Sequence, residues 1–532
     1  MIRFSLIALL CLLQVAVFPQ YMQINWQNCL KMADSDHTRD ITIAGDGYMI
    51  TGYTDITSQM AMLFRTDNEG SLIWEKSYGG SEGDGAYAVF PTLDGNYYIV
   101  GGAVSTDGDI TFNPYPNSVS YWILKIDSDG NKLWDKVYGG NGKDEVFDAI
   151  PTSDGGLAVI GYTTSSDGDV SAYYGGWDSW LLKLDSAGNK MWDFTYGTSL
   201  IELGEAVIET SDGGFLAGGT GRLNVGGNID CNPFSWYAMA LLFKLDANGN
   251  LEWQQCYGGS WDDGIQTLLE VSNGYILGGF TDSDDGDMTG CGYHLGYFPG
   301  ISGTRTSDIW LAKADFFGNL IWQTCLGGTK MDFVKRIFET ADGSLLLFGH
   351  TSSHDGDVVG NHSYNDLAYR DIWVVKVNSE GELLWQQCIG STWRNDIADV
   401  VRTGDNTYVV ASRTTSAADG DLTCTFSPFT FTWVFEVEDI TTGMNEIPGE
   451  VEVLKVYPNP ANKQLWVSIP DNVSLAGAIA ELIGFDGRKS ILIHPDSHTF
   501  KIETGYLPSG PYLLRLQAGE RVLTAMVVLK KH

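Results

Sequence analysis

Residues 131–140 read Asn-Lys-Leu-Trp-Asp-Lys-Val-Tyr-Gly-Gly, and close copies of this stretch recur along most of the chain. Self-similarity at a steady period indicates a repeat architecture, which has to be recognised before any local structure is assigned. The copies imply seven repeat units. Their tryptophans are Trp26, Trp74, Trp134, Trp192, Trp253, Trp322 and Trp385.

Each unit contains four short apolar segments, which in the third unit are residues 131–138, 144–152, 156–164 and 178–185. The segments are rich in Val, Ile, Leu, Tyr and Trp, and Asp-Gly, Gly-Gly or Gly-Asn pairs close them, a pattern typical of strands and hairpins. Seven units of four strands contain more strands than one open twisted sheet can hold. If the seven sheets are arranged radially instead, the edge strands of each sheet are protected. The sequence therefore predicts an all-β fold, a seven-bladed β-propeller with the repeated tryptophan packed between blades.

Composition and charge restrict the function and the compartment. A formal net charge of −35 disfavours nucleic acid and anionic membrane surfaces as partners, because both would repel the protein. The apolar run 6–17 follows a basic residue and is too short to span a bilayer, so we expect residues 1–20 to be a secretory signal peptide. No later segment predicts a transmembrane helix.

Seven cysteines follow the predicted signal peptide. Four occupy the position three residues after a repeat tryptophan, where other copies carry Ser, Val or Thr, so we expect packed thiols there. These four are Cys29, Cys256, Cys325 and Cys388. The others, Cys231, Cys291 and Cys424, lie in long inserts, and their pairing stays open. A Cys231–Cys291 bridge between adjacent blades is one arrangement that suits an oxidising compartment.

The antiparallel order of the segments assigns their loops to two opposite rims of the propeller. On one rim the turns are tight, and the backbone preferences of Asp, Asn and Gly explain them. On the other rim, formed by the loops after the first and third segments of each unit, the loops are long, aromatic and acidic. We call it the long-loop rim, and it is the predicted binding surface.

An Asp-Gly-Asp triplet recurs on the long-loop rim. Two carboxylates separated by Gly can direct several oxygens at one Ca²⁺, so calcium is a candidate cofactor. Alternatively, the triplet starts a turn and accepts backbone N–H bonds, and its recurrence favours this alternative. His354 and His362 lack the fixed spacing of a zinc site. The candidate metal ligands are Asp107, Asp109, Asp167, Asp169, Asp285, Asp287, Asp355, Asp357, Asp419 and Asp421.

A second acidic residue recurs at the start of the segment that follows each repeat stretch. Its carboxylate would link adjacent loops if it accepts hydrogen bonds from their backbone N–H groups. It is occupied by Asp36, Asp84, Asp144, Glu202, Asp263 and Asp332, with Asn395 in the seventh unit. Aromatic residues in the long loops predict a sugar-stacking surface, unless they pack their own loops. The candidate ligand-binding residues are Tyr115, Tyr174, Trp177, Trp236, Tyr297 and Tyr364.

The chain resembles two known families in different parts of its length. The unit 74–109, with its Trp-Glu-Lys-Ser-Tyr-Gly-Gly opening, resembles the repeat of secreted bacterial seven-bladed β-propellers, which implies a propeller over residues 21–440 and no single activity. After a polar linker, 441–450, residues 451–532 are similar to the type A C-terminal sorting domain of the type IX secretion system of Bacteroidetes. The residues that carry this second resemblance are Tyr457, Pro458, Asn459, Pro460, Leu507, Pro508, Gly510 and Tyr512.

The sorting-domain resemblance implies a small β-sandwich that is read by the outer-membrane translocon, after Sec export across the inner membrane. We therefore expect a secreted or cell-surface protein that acts in binding or adhesion, with a glycan or a surface protein as its ligand. One alternative is an extracellular enzyme acting on polysaccharides, a hydrolase or lyase, since the same rim offers many carboxylates. Another is a structural surface protein without a ligand.

Overall fold

The computed structural model describes residues 21–33, 35–54, 59–116, 118–222, 226–231, 237–297, 305–364, 366–415, 418–424 and 430–441, together with most of 454–530. The chain divides into two compact units, Met1–Gly443 and Met444–His532. The only helix in these ranges is the 3-10 turn Gly286–Met288. No helix in the described part of the chain has the length and apolar character needed to cross a bilayer.

The N-terminal unit contains seven four-stranded antiparallel sheets. Their innermost strands contact one another in cyclic order and close a ring, which confirms the seven-bladed propeller. Strand β1 (Met22–Leu30) precedes blade 1, whose strands from the ring axis outward are β2 (Asp36–Ala44), β3 (Gly47–Thr54), β4 (Met60–Asp67) and β5 (Leu72–Tyr78).

The next five blades repeat this plan. Blade 2 is β6 (Gly85–Pro91), β7 (Tyr97–Ala103), β8 (Ser120–Ile126) and β9 (Lys132–Tyr138), and blade 3 is β10 (Asp144–Pro151), β11 (Leu157–Thr163), β12 (Asp178–Leu184) and β13 (Lys190–Tyr196). Blade 4 is β14 (Ile201–Glu209), β15 (Phe215–Arg222), β16 (Met239–Leu245) and β17 (Leu251–Tyr257). Blade 5 is β18 (Asp263–Val271), β19 (Gly274–Thr281), β20 (Asp308–Ala314) and β21 (Leu320–Leu326). Blade 6 is β22 (Asp332–Glu339), β23 (Leu345–Thr351), β24 (Asp371–Val377) and β25 (Leu383–Ile389).

Blade 7 closes the ring with strands from both ends of the propeller. Its strands are β26 (Asn395–Arg402), β27 (Thr407–Thr414) and β28 (Phe431–Asp439), and β1 pairs with β28 as the outermost strand. The repeat tryptophans therefore stand on the last strand of each blade. The boundaries of the sequence repeat are shifted by one strand relative to the blades, because a period by itself does not define where a sheet begins.

The repeat tryptophans pack between blades, as expected, but near the outer surface. Trp134 lies against Gly188 of the next blade, where an added Cβ would come within 2.5 Å of the indole ring. Gly188 also has a φ of 70°, so both the ring and the backbone favour glycine there. The most deeply buried tryptophans are a different set, on the third strands. They are Trp122, Trp180, Trp310, Trp373 and Trp433.

Disulfides tie three long inserts to the outermost strand of their own blade. The pairs are Cys29–Cys424, Cys231–Cys256 and Cys291–Cys325, while Cys388 is a buried free thiol. The prediction of packed thiols is right for Cys388 and wrong for Cys29, Cys256 and Cys325, and the Cys231–Cys291 bridge is wrong. Each insert folds back over the outermost strand of its own blade. The spacing of the cysteines along the sequence does not reveal this contact.

The C-terminal unit contains two sheets in the order β29-β30-β33 and β32-β31-β34-β35. One apolar core joins them, with Leu465 from the first sheet and Leu482 and Leu514 from the second, so the unit is the expected β-sandwich. The strands are β29 (Lys455–Tyr457), β30 (Gln464–Ser468), β31 (Ile479–Gly484), β32 (Lys489–Ile493), β33 (Thr499–Glu503), β34 (Gly510–Ala518) and β35 (Arg521–Leu529).

Candidate functional site

The acidic residue that opens an inner strand ties each turn of the long-loop rim. Asp84 Oδ2 accepts bonds from the Gly80 N–H at 2.7 Å and the Ser105 hydroxyl at 2.6 Å. The bond to the N–H four residues earlier recurs in every unit that has an acid here. Burial raises the pKa of Asp144 to about 6 and that of Asp263 to about 7. These carboxylates are buried parts of the scaffold.

The Asp-Gly-Asp triplets lie in the neighbouring loop, and their carboxylates accept hydrogen bonds from the backbone of the same turns. Asp107 Oδ1 accepts the Ser81 N–H at 2.8 Å, and Asp109 Oδ2 accepts the Gly79 N–H at 3.1 Å. The middle Gly108 has a φ of 66°. The other triplet carboxylates, of Asp167, Asp169, Asp285, Asp287, Asp355, Asp357, Asp419 and Asp421, make equivalent bonds.

This geometry does not fit a calcium cage. The two carboxylates of a triplet each accept a different backbone N–H, whereas Ca²⁺ requires six to eight converging oxygens. In the part of the chain that is described, no group of three or more His, Cys, Asp or Glu side chains could hold a metal ion. His354 Nε2 and Nδ1 lie 2.9 and 3.1 Å from backbone carbonyls, so this ring also belongs to its loop.

Replacing Asp419 by Ala is expected to lower the free energy of unfolding by about 1–3 kcal/mol, because the Thr392 N–H and hydroxyl lose their common acceptor. Calorimetric melting with EDTA and with added Ca²⁺ measures whether a metal is involved. We expect the same melting temperature in both. Asp419→Asn, which keeps one acceptor oxygen, is the matched control, and a melting temperature raised by Ca²⁺ in the wild type alone would contradict the prediction.

The predicted ligand-binding aromatics have different surroundings. Tyr115 packs against the core between blades 1 and 2, and its hydroxyl donates to Asp169 at 3.2 Å, so it supports its loop. Trp177 is 40% exposed and stacks on Tyr162 with ring centroids 4.7 Å apart. Tyr174 and Tyr297 are exposed, and the Tyr174 N–H donates to Asp178. Trp236 lies outside the described residues.

Tyr364 belongs to a cluster of three rings where the blade 6 insert meets the connector to blade 7. Its centroid is 5.6 Å from that of Tyr369 and 5.9 Å from that of Trp393, and these two are 5.5 Å apart. Tyr364 is 52% exposed and Trp393 is 42% exposed. The Tyr364 N–H donates to the Thr392 carbonyl at 3.1 Å, which fixes the insert on the connector. We call these residues the ring cluster.

Tyr369 and Trp393 were not among the residues predicted from the sequence. Tyr369 stands in irregular loop sequence that no repeat position marks. One signal was available for Trp393, since Trp261 occupies the equivalent position in the connector to blade 5.

The mouth of the central channel differs from blade to blade. The residue before each third strand accepts, through its carbonyl, the N–H of the acidic residue (Asn395 in blade 7) at the start of the next inner strand. In blade 3 this residue is Trp177, which stacks on Tyr162. In blade 6 it is Arg370, whose Nη1 lies 2.9 Å from His350 Nε2. Equivalent positions therefore carry an aromatic pair on one side of the mouth and an arginine–histidine pair on the other.

A charged layer lies deeper in the channel and lines a cavity of about 480 Å³. Arg336 Nε donates to Asp399 Oδ1 at 2.8 Å. Burial, together with the charge of Asp399, raises the pKa of Asp40, whereas Arg336 lowers the pKa of Asp399 against the effect of burial. Asp40 Oδ2 also accepts the Val89 N–H of blade 2 at 2.7 Å. Asp40, Arg336 and Asp399 each stand four residues after the acidic position of their unit (Asn395 in the seventh), so the repeat marks this layer, although it was not predicted.

Several sorting-motif residues of the C-terminal unit lie at or just before the start of its last hairpin, β34–β35, and stabilise it. Leu507 and Tyr512 are buried, and the Tyr512 hydroxyl donates to the Pro508 carbonyl at 3.1 Å. Gly510 begins β34 and Tyr457 ends β29, while Pro458, Asn459 and Pro460 lie outside the described residues.

Residues 455–530 match the family described as secretion system C-terminal sorting domain. The C-terminal unit is a type IX sorting domain. This sorting domain makes the protein a type IX export substrate that is secreted or displayed at the cell surface.

Comparison with other known proteins gives more distant likenesses. The regulatory protein FlaEY of Caulobacter vibrioides is 24% identical over 203 residues, which are 35% of this chain and 21% of that protein. PorZ, a surface component of the type IX secretion system of Porphyromonas gingivalis, is 10% identical, with 93% of this chain and 59% of that chain covered and a TM-score of 0.36. The WD40 domain of Neurospora crassa Pan2 is 11% identical, with 78% and 95% covered and a TM-score of 0.38. The chain spans less than two thirds of FlaEY and of PorZ.

Proposed function

We propose that the exported protein is a binding or adhesion protein that holds a glycan on the long-loop rim, with the ring cluster as its stacking surface. The observation that carries this proposal is the ring cluster itself, in which Tyr364 and Trp393 are about half exposed although they contact each other. Exposed aromatic faces offer apolar area to the C–H faces of a sugar, and grouped exposed rings mark interaction sites.

The architecture of the cluster supports this role. The insert and the connector are joined by backbone hydrogen bonds, from Tyr364 to Thr392 and from Asn395 to Arg370, the second at 2.8 Å. Rings held on such a scaffold lose little conformational entropy when a ligand binds. The triplet carboxylates serve the scaffold, so the aromatic rings and the basic residues beside them are the groups available to a ligand.

Replacing Trp393 by Ala is expected to weaken glycan binding at least about 10-fold, equivalent to about 1.4 kcal/mol, because the cluster loses its largest exposed face. The ligand is first identified on a glycan array with the exported chain, and affinities are then measured by calorimetry. Trp177→Ala is the matched control, since Trp177 is an equally exposed indole on the same rim in another blade. We expect less than a twofold change for this control.

Two results would contradict the proposal. An array without saturable binding would favour a protein ligand or a structural role. An equal loss of affinity in Trp177→Ala would remove the ring cluster as the particular site.

A second candidate function is cleavage of a polysaccharide in the channel, because Asp40 and Asp399 have pKa values displaced in opposite directions. A structural role competes with it, since Asp148 accepts the Val207 N–H just as Asp40 accepts that of Val89. Reducing ends released by the wild type and not by Asp40→Asn would support the enzyme.

A further inference from the structure

Three arginines and one aspartate meet at the channel mouth beside the ring cluster. Asp396 lies on β26, 3.2 Å from Arg370 Nε through its Oδ1, and its Oδ2 accepts the Nε–H of Arg394. Arg413 is the cross-strand partner of Asp396 on β27. Arg370 and Arg394 directly follow Tyr369 and Trp393 in the chain. We call Arg370, Arg394, Arg413, Asp396 and His350 the mouth pocket.

The mouth pocket carries more positive charge than its own residues neutralise. Three guanidiniums face a single carboxylate, and burial lowers the pKa of His350 to about 3, which leaves this ring neutral. Burial and the neighbouring Arg394 also lower the pKa of Arg413, although Asp396 opposes them. Like-charged guanidiniums that are partly withdrawn from solvent repel one another, and this cost falls when an anion enters.

Hydrogen-bonding capacity in the mouth pocket is unused as well. Within the described ranges, the buried Arg413 Nε, Arg370 Nε and His350 Nδ1 have no hydrogen-bond partner, and neither has the acceptor Asp396 Oδ1. Each guanidinium carries five N–H donors in a planar fork that matches a carboxylate. The Arg394 side chain is 39% exposed and that of Arg370 is 17% exposed, so the pocket opens to solvent.

The mouth pocket also departs from the repeat. The position of Arg413 is occupied by Tyr53, Tyr162 and Phe280 in blades 1, 3 and 5. A residue that serves the scaffold recurs from blade to blade, as the triplet carboxylates do. A concentration of arginine in blades 6 and 7 of a chain with a net charge of −35 has no such explanation.

We propose that the mouth pocket binds the carboxylate of an acidic glycan, with Arg394 and Arg413 as its principal donors and the ring cluster stacking the sugar that carries or adjoins the acid. This inference rests on the proposed glycan-binding function and specifies its ligand as a uronic-acid saccharide. Arg370 lies 3.2 Å from Asp396 and 2.9 Å from His350 and adds to the positive charge of the pocket.

The test uses the exported full chain and a panel of oligouronates of galacturonic, glucuronic and mannuronic acid, each with its carboxyl-reduced counterpart. Calorimetry is expected to show that at least one oligouronate binds 10-fold or more tightly than its reduced form. Arg413→Gln and Arg394→Gln are each expected to weaken oligouronate binding at least 10-fold and to change binding of the reduced form less than twofold. Arg222→Gln is the matched control, an exposed arginine on the same rim in blade 4.

Four results separate the possibilities. Equal affinity for the acidic and reduced forms overturns the carboxylate assignment and leaves the glycan proposal intact. An equal loss in Arg222→Gln overturns the mouth pocket as the site, because it shows a general charge effect. No binding of any probe, together with a silent glycan array, overturns the proposed function as well. Melting temperatures identify a misfolded variant, in which case Arg413→Lys must restore binding at least partly for the proposal to stand.

Discussion

Replacing Cys29 and Cys424 together by Ser is expected to lower the free energy of unfolding by up to about 6 kcal/mol. This disulfide joins residues 395 positions apart and holds the N-terminal strand β1 in blade 7. It therefore restricts the unfolded chain more than any shorter loop, because the entropy of closing a loop grows with its length. Urea unfolding of the oxidised double variant and of the wild type measures the difference.

The Cys231–Cys256 pair is a matched control within the same propeller. It joins residues only 25 positions apart and links an insert to β17 in blade 4. The same entropy model gives about 3 kcal/mol for removing it. Dithiothreitol, which reduces all three disulfides, should lower the stability of the wild type at least as far as the Cys29/Cys424 double variant. If both double variants lose the same stability, the long-range disulfide does not close the ring, and pairing of β1 with β28 is sufficient.

The propeller is expected to lose stability as the pH rises from about 5 to 8. Burial raises the pKa of Asp36 and Asp144 to about 6, of Glu202 and Asp263 to about 7 and of Asp332 to about 8. The folded state therefore holds protons that the unfolded state has released, so stability is fully present below the unfolded pKa near 4 and falls as the pH passes the folded values. Each unit of pKa difference corresponds to about 1.4 kcal/mol.

The variant Asp332→Asn separates this effect from general charge repulsion. Blade 7 already has an amide at the equivalent position, Asn395, so the fold accepts one there. We expect the variant to cost less stability at pH 8 than at pH 5, by several kcal/mol, since the amide has no charge to desolvate. Melting in high salt, which screens surface repulsion, is the control. A cost that is independent of pH would show that Asp332 is ionised throughout.

The sequence predicts most of the fold because the propeller consists of local hairpins. Each of the first six blades is encoded in one continuous stretch of the chain, so their turns, strands and rims follow from the order of the segments. The phase of the repeat was wrong by one strand, since a periodic sequence has no natural starting point. The roles of Asp84 and Asp107 were among the alternatives considered, because a residue that recurs in nearly every blade is more often part of the scaffold.

The candidate site was predicted less completely. Tyr364 was identified as an exposed rim aromatic, but its partners Tyr369 and Trp393 were missed. Tyr115, from the same set, packs its own loop. Aromatic character in an insert shows only that a ring is present, and the backbone path of that insert decides whether the ring packs or faces solvent.

The amino-acid sequence alone determined the number of blades, the two chemically different rims and the C-terminal sorting domain, because these depend on residues close together in the chain. The tertiary structure decided which insert folds onto which strand, and so which cysteines pair. It also brought Arg370, Arg394 and Arg413 from two blades around one carboxylate. Such groups are separated along the chain by loops whose path the sequence does not define, and only the packing of adjacent blades sets their distances and the solvent left between them.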